Sequence, residues 1–130
     1  MLAPTGHGTA RRPKGELQSW RKAFESGDVA GFKRVMRENL HLHMLHRAPD
    51  DLSLAIHIEA CLRTRFRSRP ISLGGGLLEA LRRPECPVHI AWGEHDTTAV
   101  PQDLTRDLQH SDPRIVASII PSAGHWVMYE

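Results

Sequence analysis

The chain contains 130 residues, of which 40% are hydrophobic and 25% are charged, and its formal net charge at pH 7 is +2. These values are typical of one ordinary globular domain. The mild positive charge does not favour a nucleic-acid partner, which requires positive charge clustered on one face. The N-terminus lacks the pattern of a signal peptide, and no apolar stretch is long enough to span a bilayer. We therefore expect a cytoplasmic chain that has no nucleic acid and no membrane among its partners.

The first part of the chain predicts an irregular lead-in followed by two helices. Residues 1–14 are rich in Gly, Pro, Thr and Arg, and no regular element is expected there. Apolar residues at helical spacing predict a first helix over residues 16–25. Asp28 is placed to cap a second helix, which is expected from Val29 to Leu40.

A third helix is expected to open at Pro49-Asp50-Asp51, because proline and acidic residues suit a first helical turn. The pair Arg69-Pro70 disfavours its continuation past Ser68. Residues 72–76 predict a flexible joint, and a short helix follows from Leu77 to Leu81.

One concentrated basic run extends from Arg63 to Arg69, with arginine at every second position. A contact with nucleic acid is one interpretation of this run. The favoured interpretation is that it caps the C-terminus of the third helix, where positive charge is stabilising.

The second part of the chain predicts a strand, a helix and a strand. The apolar run from Val88 to Trp92 indicates a buried strand, and a second strand is expected from Ile115 to Ile120. The segment from Pro101 to His110 has the length and spacing of one helix between them. Such a unit predicts parallel pairing. Parallel strands need covered faces and neighbours on both edges, so we expect an incomplete sheet with possible self-association through its exposed edge.

Two polar turns follow the C-terminal ends of these strands, where open parallel sheets present catalytic groups. Gly93-Glu94-His95-Asp96 follows the first strand, and Ala123-Gly124-His125-Trp126 follows the second. The order of strand, G-x-x-D, helix, strand and G-H resembles the C-terminal third of the α/β-hydrolases. In that superfamily the catalytic triad follows the chain order Ser, Asp or Glu, His.

The resemblance covers roughly residues 1–130 and implies an α/β fold class. The chain is expected to be the C-terminal portion of the hydrolase fold, with a helical cap followed by a parallel strand-helix-strand unit. Residues 1–14 would be a lead-in loop, residues 15–72 the helical cap and residues 73–130 the C-terminal part of the core. Within the superfamily the chain is similar to the meta-cleavage product hydrolases, which cleave carbon-carbon bonds, and to related esterases.

The resemblance also implies roles for three residues. Asp96 would be the acid that orients and stabilises the histidine, and His125 would be the general base. Trp126 is predicted to bind substrate, although packing under a helix explains it equally well. The simpler alternative is that Asp96 only caps the helix near Val100 and that His125 is an ordinary histidine after a strand.

The sequence departs from the hydrolase pattern because it contains no G-x-S-x-G nucleophile elbow. Ser72 and Ser122 lack the flanking glycines of an elbow. We therefore expect a fragment that is inactive alone. The complete protein would hydrolyse a small-molecule ester or ketone, by cleaving an ester bond or a carbon-carbon bond. The alternative is a non-catalytic binding or regulatory module derived from a hydrolase.

No cofactor and no metal are expected. Cys61 and Cys86 lack the spacing of metal ligands. His41, His43 and His46 permit a metal site, but no acidic or cysteine ligand accompanies them in the sequence. Histidines that face a pocket or solvent explain this cluster more simply.

Overall fold

A computed structural model describes residues 1–83 and 85–130. Within these residues the chain is a mixed α/β structure with six helices and a two-stranded parallel sheet. None of the helices described there is both long and apolar enough to cross a bilayer. In chain order the elements are α1 (Arg21–Glu25), α2 (Val29–His43), α3 (Asp51–Arg63), α4 (Arg69–Leu73), α5 (Gly76–Leu81), β1 (Val88–Gly93), α6 (Pro101–Ser111) and β2 (Ile115–Ile120).

The predicted strand-helix-strand unit is confirmed. Strands β1 and β2 pair in parallel, from Val88 opposite Ile115 to Gly93 opposite Ile120. Helix α6 connects them and packs against β2. Both strands therefore end at the same edge of the sheet, and the two turns that follow them are neighbours.

Residues 1–14 contain no helix and no strand, as predicted, but the first three residues contact the sheet. Leu2 forms a parallel bridge with Ala91 of β1. The Ala3 amide donates to the Ala91 carbonyl at 2.7 Å, and the Ala91 amide donates to the Met1 carbonyl at 3.0 Å. Three residues are too few to show the alternation of apolar and polar residues that predicts a strand. Their pairing depends on backbone groups of β1 that lie far away in the sequence. Strand β1 consequently has a neighbour on both sides.

The first helix is shorter than predicted. Helix α1 begins at Arg21 rather than Glu16, because the preceding segment is bound to α2 by side-chain hydrogen bonds. The Gln18 amide donates to Asn39 Oδ1 at 2.9 Å, and Asn39 Nδ2 donates to the Gln18 carbonyl at 2.8 Å. This exchange satisfies the backbone of Gln18 without a helix.

The third helix also ends early, at Arg63, where Thr64 adopts an extended conformation. Most of the basic run is therefore exposed irregular backbone, and only Arg63 lies in the last turn of α3. The joint expected at residues 72–76 is shorter than predicted. Residues 69–73 form α4, whose first turn contains Pro70, and α5 begins at Gly76, so only Gly74 and Gly75 of the joint lie outside a helix. Proline lacks an amide hydrogen, which a first helical turn leaves without an intrahelical partner in any case.

Two apolar clusters stabilise the chain. The first lies between the helices of residues 15–72, and it contains Phe32, Met36, Leu40, Leu45 and Leu54. The second lies between the sheet and helices α5 and α6, and it contains Ala3, Leu81, Ile90, Trp92, Ala99, Leu104, Leu108 and Ile115. The candidate site lies where the two parts of the chain meet.

One face of the sheet is not covered by the described residues. Alternate residues of β2 are exposed, including Val116 with 48% and Ile120 with 37% of their surface accessible. Parallel sheets are normally covered on both faces, so exposed aliphatic side chains at an edge strand favour association.

We predict that Val116→Lys shifts the isolated chain towards monomer, because a charged side chain on this face opposes contact between two copies. Sedimentation velocity measures the change. Ala30→Lys, which adds the same charge at an exposed position of α2, is expected to leave the distribution unchanged. A wild-type chain that is already a compact monomer would contradict the prediction.

Candidate active site

Asp96 lies in the turn that follows β1, and its side chain is completely buried. The turn is closed by a hydrogen bond of 3.0 Å from the Asp96 amide to the Gly93 carbonyl. Asp96 Oδ1 accepts hydrogen bonds from the Thr98 amide at 2.7 Å and from the Thr98 hydroxyl at 2.8 Å. Helix α6 has Val100 as its N-cap residue and no side-chain cap. The alternative in which Asp96 caps this helix is therefore wrong.

His125 lies in the turn after β2, and its imidazole is hydrogen-bonded to the second oxygen of the same carboxylate. His125 Nδ1 is 2.9 Å from Asp96 Oδ2, and 17% of the histidine side chain is exposed. Because a carboxylate only accepts, Nδ1 carries the proton, and the neutral ring has its lone pair on Nε2. Among the described residues, Nε2 makes no hydrogen bond. The expected contact between Asp96 and His125 is present, and Nε2 is the atom that remains able to accept a proton.

The environment of Asp96 keeps the carboxyl group ionised. Burial acts to raise its pKa, but the hydrogen bond and charge of His125 and the hydrogen bonds from Thr98 hold the pKa below its ordinary value. The buried carboxylate therefore carries the negative charge that stabilises a positive charge on His125.

Gly93 and Gly124 permit the two turns to approach each other. A Cβ atom on Gly93 would overlap the backbone carbonyls of Ala123 and Gly124, and one on Gly124 would lie 2.8 Å from the Met44 carbonyl. Close backbone contact, and not an unusual turn, is the reason for glycine at these positions. The sequence placed both residues in the two polar turns, but the contact joins segments about 30 residues apart and has no local signal.

We predict that Gly93→Ala lowers the free energy of unfolding by about 1–3 kcal/mol, because the added methyl group must displace a backbone segment. Chemical denaturation measures this change. Gly75→Ala is the matched control, since no heavy atom lies within 4 Å of its added Cβ. Equal stability of the two variants would contradict the packing argument.

Glu130 joins the His125 turn to the turn between α2 and α3. Its carboxylate accepts hydrogen bonds from three backbone amides: Gly124 at 2.5 Å, His46 at 2.9 Å and Arg47 at 2.7 Å. Nothing in the local sequence marks this glutamate, because its donors are 6, 84 and 83 residues away along the chain.

His7 is a buried histidine whose side chain is hydrogen-bonded to the turn that contains Asp96. It is 2% exposed, and its Nε2 lies 3.0 Å from the Thr98 carbonyl. The Thr9 amide donates to Nδ1 at 3.2 Å, so Nε2 carries the hydrogen that bonds Thr98. Burial lowers the pKa of His7, so this histidine stays neutral. The sequence analysis assigned no role to His7. The two-residue spacing of Asp96 and Thr98, in contrast, is a local signal for a turn closed by the aspartate side chain.

Trp126 packs against residues of the helical part of the chain. Its ring lies edge-on to His57 at a centroid distance of 6.1 Å and is tilted against Tyr129 at 6.2 Å. Its backbone amide donates to the Met44 carbonyl at 2.9 Å. These contacts give Trp126 a packing role, and its contact with substrate stays a prediction.

The three histidines near the end of α2 contact separate partners. The ring of His46 stacks on His95 at 3.7 Å, and His41 Nδ1 lies 3.1 Å from the Arg47 carbonyl. The amine of Lys14 is hydrogen-bonded to His43 Nδ1. Within residues 1–83 and 85–130 no three metal-ligating side chains form a group.

His43 is half-buried beside the Asp96 turn, and its pKa is strongly lowered. Burial, followed by the charges of Lys14, His125 and Arg11, lowers its pKa from 6.5 to about 4. The Thr97 hydroxyl donates to the His43 carbonyl at 3.1 Å, so this residue adjoins the Asp96 turn.

We predict that His43→Gln reduces the loss of stability between about pH 6.5 and about pH 4. The unfolded chain binds a proton at His43 in this range while the folded chain does not, so the free energy of unfolding falls as the pH is lowered. Urea denaturation at several pH values measures the slope.

His7 and His57 also have lowered pKa values, so the variant retains part of the wild-type slope. Ala30→Gln, which neither adds nor removes a titrating group at an exposed position of α2, is expected to parallel the wild type. A His43→Gln curve that also parallels the wild type would contradict the prediction.

No protein-family model and no curated protein matches the sequence of this chain. A function is therefore argued from the site itself: an ionised, buried carboxylate and a histidine at the ends of two parallel strands.

Proposed function

We propose that this chain is the C-terminal part of an α/β-hydrolase and supplies the acid and the base of a Ser-His-Asp triad. The observation that carries the proposal is the hydrogen bond of 2.9 Å between Asp96 Oδ2 and His125 Nδ1. In this role His125 Nε2 removes the proton of a serine hydroxyl, and Asp96 stabilises the resulting imidazolium. The reaction is hydrolysis of a small-molecule ester or of a carbon-carbon bond next to a ketone.

The position of the pair in the sheet supports this proposal. Both residues follow the C-terminal ends of adjacent parallel strands, the place where such sheets present catalytic groups. The acid precedes the base along the chain, in the order that α/β-hydrolases use. A structural ion pair would not need a free Nε2 on a partly exposed ring, whereas a general base does.

The nucleophile must come from outside the described residues. His125 Nε2 has no serine or cysteine partner within them, and the sequence has no G-x-S-x-G elbow. The elbow also supplies backbone donors for the oxyanion. We propose that a further segment or a companion chain provides both, and that residues 15–72 cover the site as a cap.

The proposal predicts that the chain alone hydrolyses p-nitrophenyl acetate no faster than its His125→Ala variant, because base and acid without nucleophile and oxyanion donors lack most of the machinery. Joined to a segment that carries a G-x-S-x-G elbow, it is expected to turn over the ester. Asp96→Asn should then lower kcat by about 10⁴-fold.

The control for the joined protein is His110→Ala, which lies away from the site on α6 and is expected to keep full activity. Turnover by the isolated chain that disappears in His125→Ala would contradict the proposal, since a group within the chain would then be the nucleophile. Unchanged kcat in Asp96→Asn of the joined protein would contradict the role of the acid.

A further inference from the structure

A cavity lies beside His43, close to the Asp96 turn but not lined by Asp96 or His125. Its volume is about 720 Å³. His43 lines one wall, and the backbone of this residue is hydrogen-bonded to Thr97 beside Asp96. The remaining lining residues come from the lead-in and from the region of α4; they are Arg11, Lys14, Gly15, Glu16, Leu17, Ser68, Arg69, Ser72 and Leu73.

The cavity contains more positive than negative charge. Three cations, Arg11, Lys14 and Arg69, line it together with one carboxylate, Glu16. Within residues 1–83 and 85–130 none of the three cations takes part in an ion pair. Loss of solvent around the Lys14 amine, followed by the charge of Arg11 and then that of Arg69, lowers the pKa of Lys14 below its ordinary value, although the residue as a whole is exposed. These cations therefore repel one another, and a bound anion would relieve the repulsion.

Apart from the Glu16 carboxylate, the charged side chains that line the cavity are hydrogen-bond donors. Arg11 Nη2 donates to the carbonyl and the hydroxyl of Ser72, at 2.5 and 2.9 Å, which fixes the direction of the guanidinium. Its Nη1 and Nε hydrogens have no hydrogen bond within the described residues. Lys14 donates to His43 Nδ1, so the hydrogen of the neutral imidazole lies on Nε2. A ligand that only accepts hydrogen bonds suits this lining.

We propose that this cavity binds a phosphate monoester. A phosphate monoester carries about two negative charges near neutral pH and three acceptor oxygens. Its charge matches the excess of two positive charges in the lining, which a single carboxylate would not balance. Arginine is suited to phosphate because its planar fork of donors matches two oxygens at once. The site depends only on this cavity and goes beyond the proposed hydrolysis.

Two partly exposed leucines of the cavity lining provide an apolar surface for the organic part of the ligand. Leu17 and Leu73 line the same cavity and are 49% and 52% exposed. Apolar surface beside a cluster of donors favours a ligand that has an apolar body and an anionic end. Phenyl phosphate has this chemistry and serves as the probe.

The test is isothermal titration calorimetry with phenyl phosphate, inorganic phosphate and benzoate at about 0.15 M salt. We expect phenyl phosphate to bind wild-type protein most tightly. Lys14→Gln and Arg69→Gln should each weaken its binding about tenfold or more, since each removes a charged hydrogen-bond donor. Lys14→Arg should retain most of the affinity. Circular dichroism verifies that the variants fold.

Arg65→Gln is the matched control, because Arg65 belongs to the same basic run but does not line the cavity. It should change the dissociation constant less than twofold, or about 0.4 kcal/mol. No binding of phenyl phosphate, or an equal loss in Arg65→Gln, would overturn the proposal. Benzoate binding as tightly as phenyl phosphate would also overturn it, in favour of a carboxylate site.

Two further outcomes separate related ligands. Inorganic phosphate binding as tightly as phenyl phosphate would overturn the assigned role of Leu17 and Leu73. A single-stranded oligonucleotide that binds more tightly than phenyl phosphate, with the same loss in Arg65→Gln as in Arg69→Gln, would assign the arginine run to nucleic acid and overturn the small-molecule site.

Discussion

The close backbone contact between Gly93 and the Ala123-Gly124 segment is the constraint on which the candidate active site depends. Parallel pairing of β1 and β2 brings the two strand ends to one edge of the sheet, and the absence of side chains at the two glycines lets the turns touch. Only this approach places the Asp96 carboxylate and the His125 imidazole at 2.9 Å. A methyl group added at Gly93 would push the two turns apart and so lengthen the distance between Asp96 and His125, although it contacts neither side chain.

The Asp96 carboxylate in turn has both oxygens occupied. Thr98 donates twice to Oδ1, which leaves Oδ2 for His125. This division fixes the rotation of the carboxyl group and the tautomer of the histidine together. A buried carboxylate would otherwise be costly, and the hydrogen bonds from its two partners are what compensate for its burial.

The sequence predicted the parts of this structure that depend on local pattern. The two strands and the turns that follow them were predicted from short apolar runs bounded by Gly and Pro, and α6 was predicted from its length and helical spacing. The bridge of Leu2 to Ala91 and the contact of Lys14 with His43 did not follow, because each joins segments far apart in the chain. The early end of α3 was missed because no Gly or Pro follows Arg63 before Pro70, so nothing local marks the extended conformation of Thr64.

Glu130 has a mechanical consequence. Its two carboxylate oxygens hold Gly124, which directly precedes His125, and also the amides of His46 and Arg47 in the turn between α2 and α3. The helical layer and the backbone next to His125 are thus hydrogen-bonded to the same carboxylate, that of Glu130. If α2 and α3 tilt relative to the sheet, these hydrogen bonds must either stretch or move the His125 backbone along with the helices. The orientation of the imidazole is therefore coupled to the position of the helical layer.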